Sequence, residues 1–237
     1  MLGKLYVKNF GPIKEGSIEI DGLTVIIGPQ NSGKTYLSSL VYVLVRYADF
    51  FLNTSLIDSI TNVFRKRGIR GLVSYEAVRD LVERNIEDIR EEFVWCLTQR
   101  VGMFHGALLE CFLVNKLNEL VNVSCEKAIV TAIFRRKGGE AKIEIEIRDS
   151  VHLSKAFIDK EFIFEFLDTR KPEISILEHG YSASFRGPHV MENILYIPAE
   201  RLVLITAFLS YIALLHAIHR GFLTLPEGKK LLNRWGF

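Results

Sequence analysis

The chain has 237 residues, 49% of them hydrophobic and 24% charged, with a formal net charge of +2. That is an ordinary globular composition, which excludes a disordered chain and a disulfide scaffold. A charge so near zero also excludes bulk attraction as the way a polyanion would be held.

The first elements read as β structure. Lys4–Asn9 and Ser17–Ile20 alternate, and Leu23–Ile27 is a continuous apolar run, the pattern of a strand buried on both faces. Asp21-Gly22 supplies the tight turn before it. Lys34 to about Leu52 has helical spacing with no breaker. Residues 55–121 read as wholly helical, with Ser74 as N-cap of one long charged helix running to Arg100. Val78, Leu81, Val82, Ile86, Ile89, Phe93 and Leu97 form its apolar stripe. Gly102 and His105-Gly106 interrupt the pattern before a second helix near Ala107–Val121.

From Lys127 the period becomes two. KAIVTAIFRR and KIEIEIRD flank Lys137-Gly138-Gly139-Glu140 and predict a β-hairpin. Short strands are predicted at Phe162–Leu167, Glu173–Leu177 and Asn193–Ile197, the last closed by Pro198. An apolar helix over 202–219 and a short terminal helix from Pro226 follow. Between Arg201 and Arg220 lie eighteen residues without formal charge, LVLITAFLSYIALLHAIH, at the lower edge of a membrane-spanning length. Thr206, Ser210, His216 and His219 scattered through it favour a core or interface helix over a span.

Cys96, Cys111 and Cys125 show no C-x-x-C spacing, and the N-terminus carries no continuous apolar run of the secretory kind. Both facts suit a cytoplasmic protein with reduced thiols. Glutamine is confined to Gln30 and Gln99 while Lys, Glu, Arg and Ile abound, which points to a thermophilic source. His216 and His219 share a helix face, but no H-E-x-x-H or acidic third ligand accompanies them, so they do not read as a zinc site.

The stretch that carries chemistry is Gly28-Pro29-Gln30-Asn31-Ser32-Gly33-Lys34-Thr35, which satisfies G-x-x-x-x-G-K-[ST], the P-loop pattern. Its position between an apolar run and a predicted helix is the context that the motif requires. Gly28 lets the chain turn, and main-chain amides from about Asn31 to Thr35 form an anion nest reinforced by the helix N-terminus. Gly33 permits close approach of backbone to phosphate. Lys34 reaches the β- and γ-phosphates as the catalytic cation, and the Thr35 hydroxyl ligates Mg²⁺. The nucleotide-binding set is therefore Gly28 through Thr35 with the adjoining Tyr36, and the cofactors are ATP and Mg²⁺.

The opening KLYVKNFGPIKEGSIEIDGLTVIIGPQNSGKTYLSSLVYVL resembles the start of ABC-type ATPases of the SMC, Rad50, RecF and OLD-like (AAA-labelled) group. Asn9-Phe10 and Asn31 match that group's N-terminal pattern, while Pro29-Gln30 departs from its common G-x-N-G wording. Tyr196-Ile197-Pro198-Ala199-Glu200-Arg201 is similar to a "YIPAER" segment of the same group. That resemblance implies an α/β fold: the N-terminal lobe of a P-loop NTPase of ABC type, its β-sheet around the Walker A helix, with a mostly helical insertion. The divisions are 1–54 for the first part of the nucleotide-binding lobe, 55–125 for the insertion, and 126–237 for the remaining strands and terminal helices. By the same analogy Glu200 or Arg201 faces the nucleotide or couples it to a partner. The alternative is a strand end whose charges suit the dipole of the next helix.

Phosphoryl transfer also needs an acidic Walker B residue and a group orienting the attacking water. Phe162–Asp168 is broken by Glu165, IEIEIRD alternates up to Asp149, and LYIPAE carries a proline, so none reads as a Walker B strand. No S-G-G-like signature is present. In the group resembled, both elements lie in a C-terminal lobe, so hydrolysis is expected only when such a lobe or a second subunit completes the site. The 237 residues then read as the N-terminal part of a longer ATPase that dimerises on binding ATP. DNA repair, chromosome maintenance or defence is the implied setting. Arg65-Lys66-Arg67 with Arg70, and Arg135-Arg136-Lys137, are short basic clusters where DNA contact would fall. The alternatives are a non-hydrolysing nucleotide-binding module and a divergent P-loop kinase; a GTPase is disfavoured because no [NT]-K-x-D follows.

Overall fold

Alternation and turn chemistry build a five-stranded antiparallel sheet. In the computed structural model, which describes residues 2–20, 24–177 and 180–185, β1 (Leu2–Phe10) turns back through Gly11-Pro12 into β2 (Ile13–Glu19). The predicted hairpin forms as β4 (Ala128–Arg136) and β5 (Gly139–Ile147), and β6 (Val151–Ile158) adds an edge that the sequence reading missed. The order is β2-β1-β4-β5-β6. Leu5, Val7, Val130, Ala132, Ile143 and Ile145 alternate onto one buried face.

Helix α1 (Lys34–Lys66) leaves the P-loop and buries Leu40, Val43, Leu44, Leu56, Ile60 and Phe64. It runs well past the predicted end near Leu52, across the division expected at 54. The polar stretch Asn53-Thr54-Ser55 lies inside the helix, where Asn53 Oδ1 accepts from Arg136 Nη2 at 2.9 Å and Ser55 is fully buried. Ser59 Oγ donates to Leu56 O at 2.7 Å, and Thr61 Oγ1 donates to Ile57 O at 2.9 Å. By length and composition α1 could cross a membrane, yet 53% of its apolar window is buried within the protein. A core helix passes the same test.

The expected long charged helix is two. Ser74 caps α2 (Tyr75–Arg84), its side chain accepting from Ala77 N as predicted. The chain then breaks at Asn85, whose Nδ2 donates to Leu81 O at 2.7 Å, before α3 (Ile86–Arg100). Such a side chain competes with the backbone ladder. Helix α4 (Met103–Phe112) takes in His105-Gly106 rather than starting after it, and a 3₁₀ turn at Leu117–Leu120 replaces its predicted C-terminal half.

Phe162–Leu167, predicted as a strand, lies in helix α5 (Lys160–Arg170). FIFEFL supports both periods, and burial of Phe162, Ile163, Phe166 and Leu167 follows the helical one. Strand β7 (Pro172–Ile176) agrees with the sequence reading. It pairs on one side with β8 (Tyr181–Phe185) and on the other with β3 (Gly71–Val73), a short strand inside the region read as all helix. The predicted strand at 193–197, the apolar helix at 202–219 and the terminal helix lie outside the described residues.

Candidate functional site

The P-loop is built against a corner of the sheet. Asn9 and Gly11 both take left-handed backbone, with φ of 58° and 53°, which lets β1 reverse into β2 within the Asn9-Phe10-Gly11-Pro12 stretch. Asn and Gly are the residues that accept this conformation at least cost. The corner then packs on the loop. A Cβ on Gly33 would stand 2.5 Å from Ile13 Cγ1 and 3.3 Å from Pro12 Cγ. One on Gly11 would stand 2.4 Å from the Tyr36 ring. Both glycines are thus fixed by contact as well as by backbone.

Within the loop, Asn31 (φ 61°) and Gly33 (φ 85°) are left-handed and Ser32 between them is not. Alternation of this kind turns successive amides toward one point, the geometry of an anion nest. Gly33 is also the N-cap of α1, where no side chain caps the helix and the first turn carries no acidic residue. The amide donors and the positive end of the dipole therefore face the loop. Lys34 Nζ folds back onto Pro29 O and lies 3.5 Å from Ser32 Oγ. Gly28, Pro29, Gln30, Asn31, Ser32 and Thr35 are exposed, and Lys34 and Tyr36 are half-buried. This donor set, with no carboxylate in the first turn, fits a polyphosphate and its Mg²⁺.

The segment entering the loop departs from its predicted form. Leu23 lies outside the described residues, and Thr24–Gly28 is not a strand; Val25 is 71% and Ile27 87% exposed. A strand buried on both faces needs a neighbour on each side, and none of the described strands pairs with it.

Residues beyond the motif also belong to the site. Phe10 meets Tyr36 edge-on at 6.0 Å and Phe112 of α4 at 5.4 Å, while Tyr36 and Phe112 lie 5.4 Å apart. At the same corner, Gly11 N donates to Leu120 O (2.7 Å) and Asn122 N to Asn9 O (2.8 Å). Asn122 Nδ2 donates to Gly11 O at 3.1 Å. Phe112 and Asn122 are sequence-distant, and only the demand of an Asn-Phe-Gly corner for outside hydrogen-bond partners could have pointed to them.

The weighed Walker B stretches lie elsewhere. Asp168 sits on α5, accepting from Tyr75 OH at 2.6 Å and Arg79 Nε at 3.2 Å, and Asp149 lies between β5 and β6. Glu200 falls outside the described residues. The basic clusters are engaged internally: Lys66 pairs with Glu92, Arg67 with Asp88 and Arg135 with Glu140. Arg136 lies 4.6 Å over the Phe162 ring. Among the described residues no group of three or more His, Cys, Asp or Glu side chains could hold a metal ion.

Nest, lysine and helix N-terminus in this order define a P-loop nucleotide-binding lobe in a mixed α/β protein. Residues 1–179 match the family described as the AAA ATPase domain, and the chain belongs to that family. Nucleotide binding and ATPase activity are the family's activities, with ATP and usually Mg²⁺. The curated proteins contain no match to the chain.

Proposed function

We propose that this chain binds Mg-ATP through Gly28–Thr35 as the Walker A lobe of an ABC-type ATPase of the SMC, Rad50, RecF and OLD-like group. The observation that carries the reading is the loop itself, with left-handed Asn31 and Gly33 leading into an uncapped helix and Lys34 turned across it. Amides from Asn31 to Thr35 take the phosphate oxygens, Lys34 bridges the β- and γ-phosphates, and Thr35 Oγ1 ligates Mg²⁺. Pro29, Gln30 and Ser32 shape the loop, and Tyr36 seats it against Gly11. When bound, Mg²⁺ neutralises charge developing on the transferred phosphoryl group.

Walker B and signature residues come from a C-terminal lobe or a second subunit, with dimerisation on ATP binding. The exposed Val25 and Ile27 beside the loop support this, since they offer a bare strand seat next to the phosphate cradle. Glu200 beside the nucleotide and a role in DNA repair, chromosome maintenance or defence rest on the resemblance, and a cytoplasmic location rests on the cysteine pattern and the N-terminus. DNA contact by this chain falls on Arg65–Arg67 with Arg70, and on Arg135–Lys137.

Calorimetric titration with Mg-ATP tests the binding claim. Lys34→Ala is expected to lose roughly a hundredfold in affinity, the scale of a charge-assisted contact to phosphate. Affinity retained in that variant sinks the P-loop assignment.

A further inference from the structure

The end of the helical segment is joined to the phosphate site through the Asn9-Phe10-Gly11 corner. That corner makes three hydrogen bonds with the 120–122 segment: Gly11 N donates to Leu120 O, Asn122 N donates to Asn9 O, and Asn122 Nδ2 donates to Gly11 O. An isolated antiparallel bridge pairs Phe10 with Val121. The same corner touches Gly33 through Ile13 and Pro12, and Tyr36 through Gly11. Asn122 is fixed in turn, its Oδ1 accepting from Ser124 N at 3.2 Å and Ser124 Oγ at 2.8 Å.

Ile13 and Pro12 lie so near Gly33 that no side chain fits there, since an added Cβ would stand 2.5 Å from Ile13 Cγ1 and 3.3 Å from Pro12 Cγ. The position of β2's first residue is therefore coupled to that of the nest's central glycine. Phe112 makes a second, independent contact through Tyr36, the residue after the Mg²⁺-side threonine. Asn9 holds a left-handed backbone that few side chains adopt, and such a conformation is fixed by the partners around it. Those partners here are Leu120, Val121 and Asn122.

We infer that Asn122 is a positioning residue for the nucleotide site: it holds the Asn9-Phe10-Gly11 corner so that Ile13 and Pro12 set the P-loop nest, and it makes the 117–122 segment responsive to phosphate binding. This rests on the P-loop reading above. Because the linkage is thermodynamic, phosphate that orders the nest also steadies the corner and its partners.

The test uses the full chain, with Mg-ATP as probe. Hydrogen exchange of the wild type is expected to slow on binding at Gly11 and at Leu120–Asn122 as well as in the loop, with the β4–β5 hairpin unchanged. Asn122→Ala should bind Mg-ATP roughly five- to tenfold more weakly, the effect of one lost hydrogen bond. Ser124→Ala, which leaves the bond to Gly11 intact, should bind as the wild type does. Wild-type binding with unchanged exchange at the corner overturns the inference while leaving the P-loop reading in place. Absence of wild-type binding overturns both. Should Asn122→Ala fail to fold, the wild-type exchange decides the matter alone.

Discussion

The antiparallel sheet and the segment entering the P-loop are both rich in β-branched residues, yet they end in opposite states. In the sheet, β1 has β2 and β4 on its flanks, β5 has β4 and β6, and Leu5, Ala141 and Ile147 are fully buried. Thr24–Gly28 pairs with no described strand and holds Val25 and Ile27 in solvent. The difference lies in how partners are supplied. Antiparallel neighbours arrive through tight hairpins such as the β4–β5 turn, whereas a parallel strand depends on distant crossover connections. One half of the lobe closes on itself, while the segment entering the phosphate loop has no neighbour among the described strands.

Substitutions in the two regions should therefore differ sharply. The largest effect is expected at Phe10, fully buried between Tyr36 and Phe112 where sheet and loop meet. Phe10→Ala should lower stability by about 3–5 kcal/mol in a denaturant titration and weaken Mg-ATP binding with it. A loss confined to one of the two would separate regions joined here. Gly33→Ala comes next. Its left-handed backbone and the close Ile13 predict about 1–3 kcal/mol of strain, read as weakened nucleotide binding with the circular dichroism of the sheet and helices retained. Wild-type affinity would show that the corner does not press on the loop.

Alkali should disturb the helical region around Cys96. Burial, with Asp58 and Glu92 nearby, pushes the Cys96 thiol up to about 12. A folded-state value above the unfolded one means that the protonated thiol's contribution is fully present below the unfolded pKa of about 9 and is lost as pH rises from there toward 12. Thiol labelling at pH 8 should accordingly reach Cys96 last of the three cysteines, and rapid labelling there would contradict its burial. The smallest effect belongs to the unpaired segment. Val25→Thr and Ile27→Thr should change the stability of this chain by less than about 0.5 kcal/mol, as exposed positions do. A larger loss would mean that the segment is already packed.

Much of this was legible in the residues. The P-loop pattern, the β1 strand, the β4–β5 hairpin and the Ser74 cap are all written in local signals of spacing or turn chemistry, whereas β2 begins at Ile13, four residues before its predicted start, and pairs with β1. The errors share a physical cause, which is that a local pattern does not name its neighbour. FIFEFL satisfies two periods, and its packing as a helix decided between them. The end of α1 is predicted near Leu52, before the polar Asn53-Thr54-Ser55, but the helix carries on through them to Lys66. Thr24–Ile27 looks like a core strand because the sequence says nothing of whether strands stand beside it. Phe112 and Asn122 reach the site only through tertiary contacts with the Asn9-Phe10-Gly11 corner.

The central claim is that the chain holds the phosphate cradle while the hydrolytic residues come from elsewhere. Binding and turnover measured on one purified sample test it most directly. The account predicts saturable Mg-ATP binding that depends on Lys34, with negligible phosphate release from the chain alone. Sustained turnover that disappears in Lys34→Ala would contradict it, and would mean that an acidic residue of this chain already completes the site.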